Sequence, residues 1–409
     1  MQTRRDFRAD LLTAMGANSD VQAELLSYDE DGLGANPLPA DIRFPLADEA
    51  CLPVWREYRR SVSASNILAL ADRLVQLRFP IQRDISTSDE YRAATRRGVS
   101  PDSIGAATGL PLAQPDGCTV RIHQTWAGSI PIIQTACRED FVSLLQALTA
   151  RNEPVPVPAS QGACIVAGYN NWDRVNRLRE RWTLENPTTA FSFDHLADRK
   201  DEYQDRFILL SSGSYSGVAP ERLGLTSADW QRLSLTIRCE HECAHYWTRR
   251  VLSSMGNRVF DEVVADYCGI YAACGRYRTD WQLAFLGIDE DGSTSDAGRF
   301  QNYNGTLSNA ARSILARLVV KAAANLEHFD RSHADEIDGE RGLLLMLLTL
   351  SGMSLEHLAS SEAQSLLTIG FKRSQALAAR AVTRDVQFLH ERSGRAHAKG
   401  PASAGHVVG

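Results

Sequence analysis

Long apolar runs are missing from this 409-residue chain. The longest, Leu343 to Leu350, suits a buried helix, since about 20 apolar residues are needed to span a bilayer. No membrane partner is expected. An excess of positive charge is missing too. Lys and Arg total 44 against 50 Asp and Glu, a formal charge of -6. That argues against a broad electrostatic surface for nucleic acid. The eight cysteines include no C-x-x-C pair and follow no regular spacing. Such a pattern in a long chain suits reduced thiols in a cytoplasm rather than a disulfide framework. Behind Arg4-Arg5 there is no clean apolar stretch, because Arg8 and Asp10 interrupt it. The segment therefore reads as the first turns of a helix rather than a twin-arginine export signal. Calcium-loop geometry is absent from Asp289 to Asp296 and from Asp29 to Gly32. Neither has the glycine and closing glutamate such a loop needs, so both read as solvated turns.

What is present is the balance of a globular protein, with 44% hydrophobic and 23% charged residues. The length allows one large or two medium domains. Three regions are expected: residues 1–158, an N-terminal α/β region of unassigned role; 159–392, a catalytic domain with a helical C-terminal part; and a polar, glycine-rich tail at 393–409. In the first, Asn66 to Leu77 and Glu139 to Ala150 read as helices. Arg121 to Trp126 and Ile130 to Thr135 read as strands joined at Ala127-Gly128-Ser129. In the second, Ala163 to Ala167 and Arg206 to Ser211 read as strands. Asn171 to Trp182 reads as a helix with a solvated, arginine-rich face. Thr226 is a good N-cap for a long helix running to about Ser253. Another helix covers Val259 to Cys274, after a turn at Gly256-Asn257. From Ser308 to His390 the pattern is helical. The fold class is α+β.

The stretch Cys239-Glu240-His241-Glu242-Cys243-Ala244-His245 falls inside the long helix. His241 and His245, at i and i+4, lie one turn apart on one face, so both imidazoles can reach one metal ion. Glu242 sits beside the first histidine and can approach a water on that metal without being a ligand. On the next helix Glu262 and Asp266 also share a face. Glu262 can complete a two-histidine, one-carboxylate site that leaves a coordination position open. Asp266 can accept the outer N–H of a ligating histidine. Asp261 and Asp266 are the alternative third ligands. Cys239 and Cys243 flank the histidines. Cys243 lies about 200° around the helix from His241, so both thiols are expected to pack into the core.

The H-E-x-x-H at His241 to His245, followed by E-x-x-x-D at Glu262 to Asp266, resembles the gluzincin branch of zinc metallopeptidases over about residues 206–275. The resemblance implies His241, His245 and Glu262 as ligands of one Zn²⁺, Glu242 as general base and Asp266 as the histidine's partner. It implies a zincin-like domain with a small sheet above the zinc helix and an edge strand for extended substrate, a place that Arg206 to Ser211 could take. Tyr267, Tyr271, His328 and His333 are the candidates for the oxyanion or proton donor of that family. The function expected is a cytoplasmic zinc hydrolase cleaving an amide or peptide bond. A tailoring enzyme acting on one small molecule or one precursor, and a non-catalytic protein with structural zinc, are the alternatives.

Overall fold

Alternation along the strands decides how the layers stack. In the computed structural model, which describes residues 4–28, 38–39, 41–253, 258–296 and 298–382, four strands form one sheet in the order β1-β2-β4-β3. They are β1 (Thr119–His123), β2 (Ile130–Thr135), β3 (Ala163–Asn170) and β4 (Gln204–Ser211). Ile130, Ile132, Ile208 and Leu210 point to one core, while Ile133, Phe207 and Leu209 point to another. Residues at successive positions face opposite sides of a strand, so both faces of the central strands are apolar and both need covering.

Helices supply that cover. Before the sheet come α1 (Arg4–Ala14), α2 (Ser19–Tyr28), α3 (Leu52–Ala64) and α4 (Asp89–Arg97). Between β2 and β4 lie α5 (Arg138–Thr149) and α6 (Trp172–Glu185). The rest is helical: α7 (Ser227–Val251), α8 (Val259–Cys274), α9 (Thr279–Leu286), α10 (Asn309–Ser332), α11 (Gly339–Ser351), α12 (Leu355–Ala359) and α13 (Ala363–Ala381). Trp55 and Tyr58 of α3, with Phe141 and Leu144 of α5, fill one face of the sheet. The other face lies against α7, behind which α8 and the C-terminal helices pack in the same core. The protein is thus α+β, with a small mixed sheet and mostly helical remainder. No helix among the described residues is long and apolar enough to cross a membrane.

Several expectations change. Asn66 to Leu77 is not one helix but two short 3-10 turns, Ile67–Leu70 and Val75–Arg78, the first capped by the Asn66 side chain. Arg206 to Ser211 does not form the sheet edge. β4 runs inside, parallel to β2 and antiparallel to β3, so β3 is the edge strand on this side. The division drawn at residue 158 runs through the sheet, with β1 and β2 before it and β3 and β4 after it. The face of α6 is not wholly solvated. Arg174 is buried and paired with the buried Asp205 at 2.6 Å, and that carboxylate also accepts from Trp55 and Asn171. The acidic stretch at 289–296 is a tight turn closed by an Ile288–Thr294 bridge. The tail, the Asp29 to Gly32 stretch and the Gly256-Asn257 turn lie outside the described residues.

Candidate metal centre

The centre is built by α7 and α8. The Thr226 side chain accepts from the Asp229 backbone N–H at 3.1 Å and caps the start of α7. Asp229 in the first turn and Arg249 and Arg250 in the last complement the helix dipole. The two helices approach closely because α8 carries Gly269, where a Cβ would lie 2.7 Å from the Ile237 carbonyl oxygen.

Further along the same helix pair three side chains converge. His241 Nε2 and His245 Nε2 are 3.1 Å apart. Glu262 lies 3.5 Å from the first through Oε2 and 3.4 Å from the second through Oε1. Two facing imidazole nitrogens and a carboxylate make a poor hydrogen-bonding set. Glu262 Oε2 is buried without a hydrogen-bond partner. As metal ligands the same atoms fit well. Bonds of about 2.0–2.1 Å in a tetrahedron place donor atoms roughly 3.3–3.4 Å apart. All three residues are buried. They form a group that can hold a metal ion.

The surrounding shell holds the ligands in the required form. Asp266 Oδ1 accepts from His241 Nδ1 at 2.8 Å. That bond puts the proton on Nδ1 and leaves the Nε2 lone pair facing Glu262. Asp266 is itself fixed by the Tyr215 hydroxyl at 2.6 Å, by Gln282 at 2.9 Å and by Arg299 at 2.5 Å. Arg299 also donates to the Tyr215 hydroxyl and stands 3.4 Å from Glu262 Oε2. Burial, opposed by Arg299 and joined by the nearby Glu262 carboxylate, pushes the Tyr303 hydroxyl well up. Burial opposes ionisation of Glu262, but His245, His241 and Arg299 outweigh it and hold this acid down at about 2. Burial likewise opposes charge on His245, while Glu262 and Glu242 carry it up to about 9.

Glu242 is 9% exposed and follows His241 on α7. Its charge is felt by Cys164, whose thiol is pushed up to about 12, mainly by burial. One turn earlier on α7, Arg238 donates to the carbonyls of Ser211, Gly213 and Ser214, clamping the loop that carries Tyr215.

The other candidates fall elsewhere. Tyr267 donates to Asp330 at 2.7 Å, and Tyr271 to the Ile337 carbonyl at 2.7 Å. His328 is exposed on α10, and His333 stacks on Phe329 just past its end. None of these four is brought to the trio. Asp261 is buried but stands outside it. Tyr215, Gln282, Arg299 and Tyr303 escaped the reading of the sequence. They come from loops and from separate helices, and no spacing ties them to the H-E-x-x-H stretch.

Fold and site together define an α+β protein with a buried, helix-borne His-His-Glu group able to bind a metal. A family model described as a family of unknown function (DUF7005) matches residues 10–362, and the chain belongs to that family. No curated protein and no solved structure matches it.

Proposed function

We propose that this chain is a zinc-dependent hydrolase cleaving an amide or peptide bond, with Glu242 as the general base and a zincin-like arrangement of helix and sheet. The carrying observation is the convergence of His241, His245 and Glu262 at 3.1–3.5 Å. Zinc, when held by these three, supplies a Lewis acid for a carbonyl oxygen and lowers the pKa of a water. Glu242 takes a proton from the attacking water and returns it to the leaving nitrogen. His241 is kept in one tautomer by Asp266, and Asp266 by Tyr215, Gln282 and Arg299.

This reading places an extended substrate at the sheet edge, where the groove is lined by none of His241, Glu242, His245 and Glu262. That groove of about 800 Å³ runs along β3 from Cys164 to Asn170 and is bordered by Arg96, Arg151 and Arg249. An edge strand offers unpaired backbone groups to an extended chain. The deep burial of Glu242 and the ligands favours a second reading, a tailoring enzyme for one small amide-containing molecule.

Two variants and a substrate panel test this. Glu242→Gln keeps its zinc and loses turnover by about 10²–10⁴-fold. Glu262→Ala loses most of its zinc on dialysis. Full turnover in the first, or full zinc in the second, contradicts the assignment. Casein and short blocked peptides separate the two substrate readings: a peptidase cuts several, and a tailoring enzyme leaves all intact.

A further inference from the structure

Helix α7 carries a second pair of donors at helical spacing. Cys239 and Cys243, at i and i+4, share a face turned away from His241 and His245. The end of β1 brings His123 against that face. The donor atoms of His123, Cys239 and Cys243 all lie within 4.8 Å of one another, and all three residues are buried. His123 Nε2 is 3.6 Å from Cys239 Sγ. A tetrahedral zinc with bonds of about 2.3 Å to sulfur and 2.0–2.1 Å to nitrogen sets these atoms roughly 3.5 Å apart. Glu240 Oε1 stands 2.9 Å from the same His123 nitrogen. A small cavity of about 30 Å³ is lined by Glu240, Cys243 and Cys268.

We propose that Cys239, Cys243 and His123 form a second zinc site that ties β1 to α7, with the Glu240 carboxylate beside it. The reading is independent of the His-His-Glu centre. Thiolate and imidazole donors together select a borderline-soft ion such as zinc over magnesium or calcium. The charges also close. Two thiolates balance a divalent cation, and the nearby Glu240 carboxylate is offset by the Arg121 guanidinium, which donates to Cys239 Sγ at 3.1 Å. Arg121 also contacts His123 Nδ1 at 2.8 Å. With Nε2 given to a metal, Nδ1 carries the ring proton, so occupancy exchanges that contact and keeps the one to sulfur. A site held between a strand and a helix has a structural role. It would fasten an edge strand to the helix that bears the other centre.

The test uses the full chain, stripped of metal and reloaded with zinc or cobalt. The wild type is expected to bind two zinc ions per chain. Its cobalt form should show an intense near-ultraviolet sulfur-to-cobalt charge-transfer band. C239S/C243S should bind one ion and lose the band, whereas H241A/H245A should bind one and keep it. The wild-type spectrum decides the matter even if the cysteine variant fails to fold. Absence of the band in the cobalt-loaded wild type overturns the proposal and leaves an ion-paired thiolate held by Arg121 and His123. Persistence of the band in a folded C239S/C243S overturns it as well.

Discussion

At the scale of single residues, the centre depends on where protons sit. His241 offers Nε2 to a cation when its ring proton sits on Nδ1, and Asp266 holds it there at 2.8 Å. Asp266 is in turn held by three donors from three separate segments. Replacing Asp266 with Asn keeps the volume but removes the charge that fixes the histidine and faces Arg299. Zinc affinity of Asp266→Asn should fall by about 10–100-fold, measured by competition with a chromophoric chelator. An unchanged affinity would detach Asp266 from the centre. The approach of His241, His245, Glu262 and Asp266 was legible in the sequence because helical periodicity turns spacing into direction. Tyr215, Gln282 and Arg299 were not, since their approach depends on how loops and separate helices pack. His123 was hidden for the same reason, being 116 residues from Cys239.

At the scale of elements, the α7–α8 pair is the unit that matters. Its spacing is set by Gly269, whose missing side chain lets the Ile237 carbonyl approach. Gly269→Ala must push backbone apart, since the clash is with a main-chain oxygen. It should cost about 1–3 kcal/mol in denaturant unfolding and weaken zinc binding with it. Wild-type stability in this variant would mean that the helices are not held at that distance. The boundaries of α8, β2 and the cap of α7 were readable from local chemistry. The order of strands was not. Ala163 to Ala167 and Arg206 to Ser211 both look apolar, and only their pairing makes β3 the edge and β4 the interior. Arg174 shows the same limit. Four arginines on one helix suggest a solvated face, yet the buried Asp205 draws one of them inward.

At the scale of the whole molecule, a single sheet joins strands from both sides of residue 158, and the family match crosses that point too. The helix bearing the centre packs against this sheet, so metal binding and global stability should be coupled. A ligand that binds only the folded state adds about 4 kcal/mol at a thousandfold excess over its Kd. Chelation should therefore lower the Tm and zinc should restore it, while magnesium should not; a Tm indifferent to chelation of a zinc-loaded sample would contradict the coupling. The most direct measurement is a zinc-edge anomalous difference map from crystals of the zinc-loaded protein. The account predicts a peak bonded to His241 Nε2, His245 Nε2 and a Glu262 oxygen, and a map without density among those three atoms at full zinc loading would contradict it.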